Sequence, residues 1–146
     1  MRKLFLLPFL CLFVLSACSP PAPPKDLLSE FVKSYGAEGI IYHSEAEEGE
    51  EGYLSPELER LAFGDRHLPR SYAILLNTHL DTAAECGLFL MEGNREELID
   101  LCTYRTALLD PSGERTYVAI FDSYMFYSTL PDRDRAKRLA DKVFLH

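Results

Sequence analysis

Between residues 71 and 143 the chain reads strand, strand, helix, strand, strand, helix, and this order constrains the fold more than any other feature. Two apolar runs, 71–80 and 84–91, are separated only by Asp81-Thr82-Ala83, a link short enough to demand an antiparallel hairpin. Asn94-Arg95-Glu96-Glu97 follows as a helix start, with Glu97 in a capping-box position. Leu98, Leu101, Cys102, Leu108 and Leu109 then give an apolar stripe. Asp110-Pro111-Ser112-Gly113 is a strong turn signal. A second hairpin, 116–121 and 124–130, turns around Asp122-Ser123. Pro131-Asp132 opens a last helix with Ala136, Leu139, Ala140 and Val143 on its inner face and Phe144 beside them. The expectation is a two-layer α+β domain, an antiparallel sheet with helices on one face.

Upstream, residues 25–35 place Leu27, Leu28, Phe31 and Val32 at helical spacing before Gly36. Residues 39–43 are apolar and β-branched, which predicts a brief strand. Residues 45–52 hold five carboxylates and two glycines, a composition that cannot bury apolar surface and is expected to form a mobile loop. A calcium loop is the other reading of that segment. It lacks the alternating Asp/Asn ligands and fixed terminal Glu that calcium loops use. Ser55 and Pro56 then suit an N-cap and first helical position, with Leu58, Leu61 and Ala62 expected inward and Gly64 as the stop. These earlier helices are expected to decorate one edge of the sheet.

The N-terminus carries a different message. Met1-Arg2-Lys3 precedes a 12-residue apolar run, 4–15, broken by Pro8, whereas crossing a bilayer takes about 20 apolar residues. Cations, a short apolar core and small residues at Ser16 and Ala17 match a cleaved secretory signal. Leu15-Ser16-Ala17-Cys18 resembles the lipobox of bacterial lipoproteins, which implies cleavage before Cys18, a diacylglyceryl thioether on its sulfur and usually a third acyl chain such as palmitate. Such multiple acylation suffices for stable anchoring. Ser19-Pro20-Pro21-Ala22-Pro23-Pro24 reads as an extended tether. The expected organisation is a signal over 1–17, a lipidated cysteine and tether over 18–24, and one domain over 25–146.

Removing 17 of 146 residues leaves 129, enough for a single core. Loss of Arg2 and Lys3 moves the formal charge from -8 to -10. That acidity argues against nucleic acid and against electrostatic docking to anionic headgroups. With Cys11 lost and Cys18 lipidated, Cys86 and Cys102 are left as thiols. An exported domain with two cysteines raises a disulfide between them; two small buried hydrophobes is the competing reading.

Chemistry is sparse. His79, Asp81 and Glu85, with His67 and His43 as further members, have no recognised metal spacing. Neither cysteine sits in a hydrolase signature, and the nucleophile-elbow and phosphate-loop glycine patterns are absent from the sequence. A Glu85–Arg105 pair, strand carboxylate to helix guanidinium, is expected to close a polar gap. The aromatics of the second hairpin are expected mainly in core and cross-strand packing; the sharper alternative is an exposed interaction patch of Tyr117, Tyr124 and Tyr127. No metal or other cofactor is implied.

Ala84-Glu85-Cys86-Gly87-Leu88-Phe89, the helix with Arg105, Tyr124-Met125-Phe126-Tyr127 and Asp132-Arg133-Asp134-Arg135-Ala136 together resemble a family of small bacterial lipoproteins carrying a domain of unknown function. The resemblance spans about residues 72–143 and implies a lipoprotein with an α+β fold, without catalytic residues. Cys86 departs from it, standing where an aliphatic residue is usual, and so does the short stretch after Asp110. The expected function is therefore a membrane-anchored extracytoplasmic module that binds an envelope protein or ligand. The alternative is an envelope enzyme built on His79, Asp81 and Glu85.

Overall fold

A computed structural model describes residues 19–76 and 84–145. Its elements are α1 (Pro24–Tyr35), β1 (Ile40–His43), α2 (Pro56–Phe63), β2 (Tyr72–Leu76), β3 (Cys86–Leu90), α3 (Arg95–Leu109), β4 (Tyr117–Phe121), β5 (Tyr124–Ser128) and α4 (Arg133–Phe144). The strands form one antiparallel sheet in the order β1-β2-β3-β5-β4. The α+β class, the antiparallel sheet and both expected hairpins are present, but the helices, expected on one face of the sheet, cover both, because its central strands are apolar on both sides. Residues 1–17, read above as a signal, and Cys18, His79 and Asp81 lie outside the described residues.

Pleating sends alternate side chains to opposite faces, and β2, β3 and β5 are apolar on both. Ala73, Leu75, Cys86, Leu88 and Phe126 point to one face, where α1 and α4 cover them. Ile74, Phe89, Met125 and Tyr127 point to the other, under Phe63 of α2 and Leu98, Leu101 and Cys102 of α3. The first two helices are thus not edge decoration. Leu28 and Phe31 of α1 are fully buried, and the Phe31 ring meets Phe126 edge-on at 4.9 Å and Phe144 at 5.6 Å. α2 belongs to the opposite layer.

Helix ends follow local chemistry, with two corrections. Gly36 ends α1 in the left-handed region at φ 81°, where glycine carries no Cβ penalty. Ser55 Oγ accepts from the Leu58 amide (3.2 Å) behind Pro56, and Asp132 Oδ1 accepts from the Arg135 amide (2.9 Å). Asn94, however, makes no side-chain bond into α3; its Oδ1 accepts from the Glu92 amide at 2.8 Å instead. Leu61, expected inward, is 79% exposed, because so short a helix turns only Ala62 and Phe63 fully to the core. The acidic segment is a series of bonded turns: His43 N donates to Gly52 O, and Glu47 N to the Glu50 side-chain Oε2 at 2.9 Å.

Candidate functional site

The polar centre of the molecule is a network of Glu85, Arg105 and Tyr127. Glu85 precedes β3, and its side chain is buried beneath α3. Arg105 reaches down from α3: Nε donates to Glu85 Oε1 (2.9 Å), Nη2 to Oε2 (2.6 Å), and Nη1 to the Ala62 carbonyl of α2 (3.0 Å). The guanidinium also stands 5.5 Å from the centre of the Phe63 ring. Tyr127, fully buried on β5, donates its hydroxyl to Glu85 Oε1 at 2.5 Å. The carboxylate thereby ties the start of β3 to α3 and β5, and Arg105 carries the link on to α2. The expected Glu85–Arg105 pair is present, in the two-pronged geometry that suits guanidinium to carboxylate.

Electrostatics follow from this arrangement. Burial is the largest influence and works against the charge of Arg105, but its bonds to Glu85, the Glu85 charge and Tyr127 together outweigh it, and the guanidinium pKa is raised. Burial, with Glu85 beside it, pushes the Tyr127 hydroxyl well above its usual value. These groups hold their protons firmly and are fully engaged with one another. Both Glu85 oxygens are committed to Arg105 and Tyr127 within the fold; of the His79, Asp81 and Glu85 constellation, the other two members lie outside the described residues. The network's role is to lock α2 and α3 onto the sheet.

The cysteine bridge is also corrected. Cys86 and Cys102 are free thiols, Cys86 among the residues under α1 and α4, Cys102 within α3 on the opposite face. The sheet stands between them. Burial raises both thiols, Cys102 to about 12 and Cys86 well above its ordinary value, where Glu85 adds to burial, so neither is a ready nucleophile.

The tyrosine patch does not form. Tyr124 is buried under α1, its hydroxyl donating to Ala22 O at 2.5 Å; Tyr117 packs half-buried on that same face; Tyr127 lies on the other. What β4 exposes instead is Val118 and Ile120. They stand opposite Tyr127 and Met125, so they emerge on the α2/α3 side of the sheet at its uncovered edge. Sequence reasoning passed over both because they sit in an apolar run that suits a buried strand equally well.

His43 and His67 line separate surface features. His67 joins Glu59, Arg60, Asp65 and Arg66 in an open cleft of about 380 Å³. His43 lies beside Lys25, Ser29, Gly39 and Glu51 at a cavity of about 310 Å³. Its residue is buried and its Nδ1 has no hydrogen-bond partner. Among the described residues, no three histidine, cysteine or acidic side chains are grouped to hold a metal. Nor is any described helix long and apolar enough to cross a membrane.

Sheet and helices together define an α+β protein built on a five-stranded antiparallel sheet. No family model, curated protein or solved structure matches the chain.

Proposed function

We propose that this chain is a membrane-anchored extracytoplasmic lipoprotein of a bacterial envelope, whose domain binds or helps assemble a neighbouring envelope protein. The observation that carries the reading is the N-terminal order: Arg2-Lys3, a short apolar core, Leu15-Ser16-Ala17-Cys18, and a proline tether that runs directly into α1 at Pro24. Anchor, spacer and folded body follow one another without a gap, as tethered modules require.

The binding part of the proposal is supported by β4. It pairs with β5 on one side only, carries neither charge nor proline, and exposes Val118 and Ile120. Edge strands without such protection readily add another strand. The partner that fits is an extended segment of an envelope protein, held by main-chain bonds along β4 and by aliphatic contacts to Val118 and Ile120.

Two experiments test these parts separately. Mass spectrometry of the mature protein should find Cys18 as its N-terminus, carrying acyl chains; an uncleaved or unacylated N-terminus contradicts the anchor. A photo-crosslinking residue at position 120 should capture one discrete envelope protein, and the same residue at Lys137, exposed on α4, should not. Equal capture from both positions contradicts the β4 surface.

A further inference from the structure

The tether leaves the domain at one defined end. β1, β3 and β4 finish there at His43, Leu90 and Phe121, while β2 and β5 start there at Tyr72 and Tyr124. The Tyr124 hydroxyl holds the Ala22 carbonyl at 2.5 Å, and Lys25 shares a cavity with His43. α4 runs back toward the same end: its start meets the last turn of α1, where the Asp132 amide donates to the Tyr35 hydroxyl at 2.9 Å, and its Phe144 ring lies 5.4 Å from Phe121. The end is finished by the acidic turns around Glu45–Glu51, the Asp122-Ser123 turn and the exposed Leu145. Glu92, Glu96 and Glu97 add to its acidity, with Lys25, Arg70, Arg95 at the start of α3 and Lys142 in the last turn of α4 as nearby cations.

We propose that this end is the membrane-facing pole of the protein, held against the lipid headgroup layer by the pinned tether. The inference rests on the lipoprotein reading above. Four residue steps separate Cys18 from Ala22, and an extended proline-rich chain rises about 3.1 Å per residue, so the anchor lies within about 12 Å of the pinned carbonyl. The 15-residue α3 runs from this pole to the opposite one, a span of about 22 Å at 1.5 Å per residue. A tether of that reach cannot wrap to the far side, so inversion of the domain is closed off. The acidic turns are thereby brought close to the headgroups, at a distance comparable with the physiological screening length of about 8 Å. Anchoring opposes electrostatics here, and the tether decides.

The test uses the full lipidated protein in vesicles of phosphatidylethanolamine and phosphatidylglycerol that contain a nickel-chelating lipid. A nitroxide is placed at Glu48→Cys, in the acidic turns, or at Ser112→Cys, at the opposite pole; buried Cys86 and Cys102 do not compete for label. Paramagnetic relaxation by the nickel lipid should be severalfold stronger at position 48 than at position 112. Equal relaxation, or stronger relaxation at 112, overturns the orientation. A long glycine-serine insert between Pro21 and Ala22 should collapse the difference; a ratio unchanged by the insert overturns the tether as its cause. Absence of any vesicle-bound fraction overturns the lipoprotein reading itself, which distinguishes that failure from a failure of orientation.

Discussion

The ring of Tyr127 occupies the space that a side chain at Gly87 would need. The two residues are direct partners across β3 and β5, and a Cβ at Gly87 would stand 2.3 Å from the ring's Cε1. The ring cannot move aside, since its hydroxyl is bonded to Glu85 and it stacks on Phe89 at a centroid distance of 5.8 Å. Gly87→Ala should therefore destabilise the mature chain by about 1–3 kcal/mol, as overpacking does. Urea unfolding checks this; an unchanged midpoint would show that the ring repacks.

Removing one member of the buried pair leaves the other charge without its partner. Glu85→Leu or Arg105→Met alone should each cost about 3–5 kcal/mol, while Glu85→Leu with Arg105→Met should recover much of the loss. A double-mutant cycle in denaturant measures the coupling. Additive single effects would contradict the network.

This network and the sheet around it show what the sequence discloses and what it hides. The succession of strands and helices and the two hairpins are legible because each run of apolar residues is bounded by turn residues, Asp122-Ser123 most clearly, where Asp122 takes φ 52°; the β3–β5 and β1–β2 pairings are not. The exposure of Tyr117, Tyr124 and Tyr127 was not legible. Both β5 faces are buried, so the strand lacks the polar alternation that marks an outer surface. The same ambiguity hid the sheet between Cys86 and Cys102. The Glu85–Arg105 pair was readable from charge and spacing, but Tyr127's part in it depends on the register between β3 and β5.

His43 gives the fold a pH dependence. Burial chiefly, and then Lys25, hold its imidazole below the ordinary value of 6.5, with Glu45 and Glu50 pulling the other way. The neutral form is thus favoured in the fold. Its contribution is fully present above about pH 6.5 and is lost as pH falls toward the depressed folded value, because the unfolded chain then binds the extra proton. The stability difference between the natural protein and His43→Gln should shrink from pH 7.5 to pH 5. A difference independent of pH would contradict this assignment.

Free, buried thiols have a direct chemical signature. The folded mature protein should resist thiol reagents, and the denatured protein, without reductant, should take two adducts, at Cys86 and Cys102. A denatured protein that takes none until reduced would contradict the separation of these residues by the sheet.

The central claim is the lipid anchor, because partner choice and orientation both depend on it. Its most direct test is membrane fractionation of Cys18→Ala beside the natural protein, read with a domain antibody. The account predicts that the natural protein stays with the membranes through a high-salt wash and that Cys18→Ala is lost from the washed membrane fraction. Unchanged membrane retention of Cys18→Ala would contradict it.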